Sequence, residues 1–343
     1  MKKCLVLGAA GFLGSHMEHR LKADGYFVVS LSRNRPKYRD SVADEYNVMN
    51  LVHGVGLYAL LGRHQFDEVY NFAAEVGGLG YIGNADNDAE ILRNSALINL
   101  NVLDAVSKAS INHPIKLFFA SSQCVYPTSK RVASGAHNME SDAYPANPDS
   151  AFGWEKIFAE RLYDAYYRNH GLDIRIARFG NTYGPYCTWE GPRAKAPAAI
   201  CRKVASLFPG QDIEIWGDGS QTRSFTYVDD AIEGAIRLMA SDYHKPLNMA
   251  SSELVTIKQL VETVCKVAQK PPYIKSVPGP IGVHDRNSDN TQARAVLGWE
   301  PDTPLIQGIV RTYTWVAAQY ALFRLGRYWG GTSSGLIRVS HTP

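Results

Sequence analysis

Cys4-Leu5-Val6-Leu7-Gly8-Ala9-Ala10-Gly11-Phe12-Leu13-Gly14 decides the fold class of this 343-residue chain. Four apolar residues run without a polar break, as in a parallel strand covered on both faces. Glycines then interrupt the run, and a helical pattern follows from Phe12 to about Lys22. Glycines in such a turn permit a sharp reversal, close approach of backbone to a pyrophosphate and tight helix–strand packing. The helix N-terminus then faces the phosphates. A glycine triplet alone is only a tight turn. Between a first strand and a first helix it predicts a dinucleotide held by Gly8, Gly11, Phe12, Leu13 and Gly14.

Outward from this stretch the pattern repeats. Tyr26 to Val29, Glu68 to Phe72, Lys116 to Ala120 and Asp173 to Ala177 read as strands. Helical patterns cover about Ala89 to Ala109 and about Ser150 to Asn169. Strands alternating with helices predict an α/β fold with a doubly wound parallel (Rossmann) sheet. After about Phe179 prolines and glycines punctuate the chain, which suggests a smaller C-terminal substrate-binding domain. The expected division is 1–178 for the NAD(P)-binding domain and 179–325 mainly for the substrate, partly interwoven, with a mobile tail over 326–343.

Composition narrows the function classes. A formal net charge of +3 is too small to argue for nucleic acid or an anionic membrane. Five cysteines, without a C-x-x-C pair, disfavour a disulfide framework or a zinc site and suit a reducing cytoplasm. No segment is long and apolar enough to span a bilayer. The expectation is a cytoplasmic protein with no metal, no nucleic acid and no membrane partner.

The end of the second strand carries Ser32, Arg33 and Arg35 rather than the acid that usually accepts from a ribose 2′-hydroxyl. A hydroxyl beside a guanidinium suits a 2′-phosphate. The cofactor is therefore NAD or NADP, with NADP accepted, and a solvated basic turn is the competing reading of the two arginines. Asn50 and Leu51 are assigned to the same cofactor site.

Later motifs identify a family. They include Val76-Gly77-Gly78-Leu79-Gly80-Tyr81-Ile82, Ser121-Ser122-Gln123-Cys124-Val125-Tyr126-Pro127 and Phe152-Gly153-Trp154-Glu155-Lys156. Arg178 to Pro185, Arg193 to Ala199, Trp216 to Phe225 and Arg286 to Asn290 complete the set. With these motifs the chain resembles extended short-chain dehydrogenase/reductases acting on nucleotide sugars, and within them it is most similar to the GDP-mannose 3,5-epimerases. The similarity runs from about Lys2 to about Gln319. Cys124 with Lys195 and the Gly-Gly-Leu-Gly segment are its specific parts.

The resemblance implies conversion of GDP-D-mannose to GDP-L-galactose, with GDP-L-gulose as a possible C5-only product. Hydride leaves C4 for a tightly bound, recycled NAD or NADP. The resulting 4-ketone acidifies the protons on C3 and C5, and hydride then returns. Inverting a carbon needs a base on one face and an acid on the other. Cys124 is implied as the base and Lys195 as the acid, and a thiolate and an ammonium stabilise each other. Ser122 and Lys156 join the catalytic set by resemblance. Gly77, Gly78, Ser122 and Gln123 would approach the sugar. Asn181, Lys203, Gln221, Arg223 and Arg286 would hold the GDP, with Ala196 and Ser224 in the same lining. A homodimer through the two long helices is implied as well. Read without the resemblance, Lys203 is equally a surface charge, Asn181 a turn residue and Arg223 an ion-pair partner. Asp229 and Asp230 read as the start of a helix.

One residue departs from the family pattern. Such enzymes carry Tyr-x-x-x-Lys, whose spacing stacks both side chains on one helix face. Here Phe152 stands where the tyrosine would be, and a benzyl ring cannot accept a proton. The chain is then either a tyrosine-to-phenylalanine replacement made to hold substrate, or a natural redox-silent homologue. Retention of Cys124, Lys156 and Lys195 favours the first. Strongly reduced activity with intact ligand binding is expected. Other readings are a different nucleotide-sugar epimerase, a 4,6-dehydratase, or a non-catalytic NAD(P)-binding sensor or scaffold. Gln123-Cys124 supplies no acid to expel a 6-hydroxyl, which weighs against the dehydratase.

Overall fold

The computed structural model describes residues 1–127, 137–280, 282–283 and 285–326, with the backbone alone at Arg286. The opening stretch forms β1 (Lys3–Leu7) and α1 (Phe12–Ala23). β2 (Phe27–Ser32), β3 (Glu45–Val48), α2 (Val55–Arg63) and β4 (Glu68–Asn71) follow. A short α3 (Leu79–Ile82) precedes the long α4 (Asp88–Ser110) and β5 (Lys116–Ser122). α5 (Ala151–His170) and β6 (Asp173–Phe179) close the first part of the chain.

These strands pair in parallel in the order β6-β5-β4-β1-β2-β3, so the order reverses between β1 and β4. Ligands bind at such a switch point, outside the carboxyl ends of the strands. β1 shows why the sheet needs cover on both faces. Leu5 and Leu7 enter one apolar cluster and Cys4 and Val6 the other, as alternate side chains of a strand must.

The chain after Phe179 divides between two places. β7 (Asn181–Tyr183), α6 (Ala196–Ser206), β8 (Ile213–Trp216) and β9 (Thr222–Tyr227) build the smaller part. Next, α7 (Val228–Ala240) packs on α1, and β10 (Leu247–Met249) adds a seventh parallel strand beside β6. Asp229 and Asp230 stand in the first turn of α7, the helix start expected of them. The expected tail falls almost wholly outside the described residues.

A buried ion pair fixes β6 to α5. Arg178 donates to Glu160 from Nε at 2.9 Å and from Nη2 at 2.7 Å, and both side chains are almost fully buried. Ser121 Oγ donates to the same carboxylate at 2.5 Å. Removing one partner of such a pair typically costs about 3–5 kcal/mol, because a charge is left buried alone.

His16 couples the cofactor helix to the smaller part. Its Nε2 lies 3.1 Å from the Pro185 carbonyl, so that nitrogen carries the proton, and Arg39 lies 3.4 Å from Nδ1. Burial, reinforced by the Arg39 charge, pushes the imidazole down to about 4 from an ordinary 6.5. In this window the unfolded chain takes up a proton that the folded chain refuses, so stability falls as pH drops from 6.5 towards 4. We expect His16→Gln to lose on the order of 3 kcal/mol less than the parent across this window, measured by urea unfolding. Parallel pH profiles for the two proteins would refute this role.

Candidate active site

One cavity of about 1300 Å³ opens over the carboxyl ends of β1, β4 and β5. It exceeds the usual 300–1,000 Å³ or so of a single-ligand pocket. Of the candidate residues whose side chains are described, all line it except Arg35 and Ser224. Ser224 is fully buried in β9, where its neighbours Arg223 and Phe225 face the cavity. The side chain of Arg286 lies outside the described residues.

The glycine turn fits a pyrophosphate. Gly8 has φ +80°, and a Cβ on Gly14 would stand 2.3 Å from the Gly8 carbonyl oxygen. Gly11 caps α1 without a side chain, and the first turn of α1 contains no acid. The first amides of the helix are therefore left for an anion. Ser32, Asn50 and Leu51 line the same end of the cavity. Arg33 lies 3.4 Å from Glu75, whereas Arg35 stacks its guanidinium over Tyr46 at 5.6 Å and lies off the cavity.

Cys124 sits in a single 3-10 turn, Gln123–Val125, that follows β5 directly. Ser122 caps this turn, its hydroxyl accepting from the Cys124 amide at 3.2 Å. Cys124 packs in one apolar cluster with Phe152, Tyr81 and Ile91. Gln123 is buried beneath, its amide donating to Ser288.

Ser150 starts α5 by accepting from the Gly153 amide at 3.3 Å. The first two turns of this helix therefore bring both Phe152 and Lys156 to the cavity wall. Lys156 Nζ lies 5.4 Å from the Phe152 ring centroid and 4.8 Å from that of Phe119. Its carboxylate partner is Glu155 at 3.5 Å, which in turn accepts from Asn99 at 2.7 Å.

Lys195 reaches the cavity as the N-cap of α6, with proline in the first turn to hold the backbone. Burial pulls its amine below the ordinary lysine value, and the negative charge of Cys124 or Cys187 pulls the other way. Burial also pushes the Cys187 thiol up to about 12. The loop before Lys195 presses on Gly78, where an added Cβ would lie 2.1 Å from the Ala194 carbonyl oxygen.

The far end of the cavity carries the remaining candidates. Arg223 donates to the backbone of Thr222 at 2.7 Å and of Val283 at 2.5 Å. Asn181 donates to the Ser224 carbonyl, Gln221 to that of Trp216 and Lys203 to that of Glu214. Sequence reasoning missed Glu75, which joins Arg33 to the Lys195 loop, as well as Cys187 and Arg202 in the lining. Only the tertiary fold brings these together. Among the described residues there is no cluster of metal-ligating side chains and no helix able to cross a membrane.

Residues 4–250 match the model of the NAD dependent epimerase/dehydratase family. The chain belongs to that family. It is 39% identical over 316 residues to GDP-mannose 3,5-epimerase 1 of Oryza sativa subsp. indica, covering 92% of this chain and 81% of the relative. It is 40% identical over 320 residues to GDP-mannose 3,5-epimerase of Arabidopsis thaliana, covering 92% and 82%. At the level of fold it is similar to a UDP-glucose 4-epimerase of Thermus thermophilus solved with NAD. That similarity has TM-score 0.79 at 24% identity over 92% of this chain and 98% of that one. A nucleotide-sugar function of the epimerase/dehydratase type follows from membership of the family, as does the Rossmann-like fold.

Proposed function

We propose that this member of the NAD dependent epimerase/dehydratase family is built for 3,5-epimerisation of GDP-mannose, with its proton-accepting tyrosine replaced by Phe152. The observation that supports this reading is that Cys124 and Lys195 line one cavity with the glycine turn and Lys156, with Cys124 near enough for its charge to act on Lys195. A bound NAD or NADP supplies reversible hydride exchange at C4 of the hexose. Gly8, Gly11 and Gly14 would hold its pyrophosphate, and Lys156 its reactive end.

The chain's own residues account for the rest. The 4-ketone acidifies C3–H and C5–H. Cys124, as thiolate, would take a proton from one face, and Lys195, as ammonium, would deliver one to the other. A depressed lysine gives up its proton more readily near neutrality than an ordinary one, which suits that role. Arg223, Lys203 and Arg286 would neutralise the diphosphate, while Asn181 and Gln221 bind neutral groups. Leu92, Leu100, Trp154 and Phe158 expose apolar surface on α4 and α5, which supports association of two copies there.

Two tests follow. Calorimetric titration of the chain as it stands should show GDP-mannose binding to the cofactor-loaded protein, with NADP bound at least as tightly as NAD. Absence of sugar-nucleotide binding would overturn the substrate assignment, and clearly tighter NAD would overturn the reading of Arg33. In a catalytically restored background, Gly78→Ala should lower turnover by about 10²-fold, the cost of displacing a catalytic group by about 1 Å. Cofactor affinity should stay unchanged, because the clash with Ala194 lies at the acid/base loop. Undiminished turnover in steady-state assays would show that the loop does not need its contact with Gly78.

A further inference from the structure

Glu75 is buried at the end of the segment that follows β4, and its carboxylate serves two walls of the cavity. Oε1 accepts from Arg193 Nη2 at 2.6 Å and from the Tyr81 hydroxyl at 3.2 Å. Oε2 faces Arg33 Nη1 at 3.4 Å. Arg193 is further fixed by donating to the Val76 carbonyl at 2.9 Å and by its guanidinium lying over Tyr81, 3.7 Å from the ring centroid. Its own carbonyl accepts from the Gly78 amide at 2.9 Å. Lys195 is two residues further along the chain. Burial alone would raise the Glu75 carboxyl, yet the hydrogen bond and charge of Arg193, with Arg33 and Tyr81, hold it below the usual carboxylate range. The carboxylate therefore stays ionised and gripped.

We propose that Glu75 is a positioning residue for Lys195, acting through Arg193, and that its contact with Arg33 ties the acid/base loop to the cofactor end of the cavity. The proposal rests on the reading of Lys195 as a working acid. The physical case is one of rigidity. Arg193 makes four separate contacts with the Glu75–Tyr81 segment, through its guanidinium and its backbone, so this wall and the Arg193–Lys195 backbone move as one body. Without the carboxylate, Arg193 loses its charge-assisted bond, and a half-buried guanidinium left without its counter-charge seeks water. Coupling carried through such packed networks alters a distant group's behaviour about 2- to 30-fold.

The test uses the full chain and no sugar nucleotide. Acetylation of Lys195 is followed by mass spectrometry as a function of pH, with exposed Lys266 as the internal standard. The titratable groups acting on Lys195 are Cys124 and Cys187, and all remain in every variant. In the parent the midpoint of the Lys195 profile is expected below the ordinary lysine value. Glu75→Gln should raise it towards the ordinary lysine value as the loop loosens and water reaches the amine. Glu75→Asp should give a smaller rise, and Arg193→Gln should reproduce the Glu75→Gln shift, with the double variant adding nothing further. A folded Glu75→Gln protein whose Lys195 midpoint is unchanged overturns the proposal, even if its thermal stability has fallen. Should that variant fail to fold, Glu75→Asp and Arg193→Gln decide the matter by the same criterion. Failure of the chain to epimerise a GDP-sugar would leave these results standing, so the two readings fail separately.

Discussion

Phe152→Tyr is expected to raise turnover of GDP-mannose by about 10²- to 10⁴-fold, the usual contribution of a positioned general base. Lys156 is the cation placed to favour a phenolate at this position. Phe152 is buried against Cys124, so the ring's place is defined by packing rather than by its hydroxyl. Lys156 Nζ stands 5.4 Å from the ring centroid, on the same face of α5. An ammonium held there lowers the pKa of a phenol from its ordinary value of about 10. Phe152 lines the cavity, so the proposal expects the added hydroxyl to face the 4-hydroxyl of a bound hexose. Affinity for the sugar nucleotide should change little, since the ring is common to both side chains. Steady-state assays on the two proteins check this. Unchanged turnover in a folded Phe152→Tyr protein would show that the proton acceptor has been misassigned.

The second large effect concerns the acid/base pair. In the Phe152→Tyr background, Lys195→Met and Cys124→Ala should each lower epimerisation by about 10²- to 10⁴-fold. Both should still transfer hydride, visible as transient reduced nicotinamide on mixing with GDP-mannose. This separation follows from the geometry: Cys124 follows β5 and Lys195 caps α6, whereas Lys156 belongs to α5. Loss of hydride transfer in the Lys195→Met protein would mean that the lysine acts on C4 instead. A stable 4-keto-6-deoxy product in either variant would point to dehydration.

Much of this was legible in the sequence because it depends on local signals. The β1–turn–α1 stretch specifies its own strand, turn and helix, and Ser150 announces the start of α5. The candidate residues come from motifs, and nearly all of those described line one cavity. What stayed hidden depends on distant chain. β10 is three residues long and finds its place beside β6 only through the finished sheet. Ser224 was grouped with Arg223, but alternation along β9 turns neighbouring side chains to opposite faces. That signal was present in the sequence. Glu75 offered no local signal, since its meaning comes from Arg33 and Arg193, remote in the chain.

The measurement that bears most directly on the central claim is solvent deuterium uptake. The Phe152→Tyr protein, loaded with cofactor, is incubated with GDP-mannose in heavy water and the sugar is analysed by mass spectrometry and NMR. Deuterium at C3 and C5 of the recovered hexose is the predicted result, lost when Cys124 or Lys195 is replaced. A hexose that binds and is recovered without label would contradict the account and leave a protein that only holds its ligands.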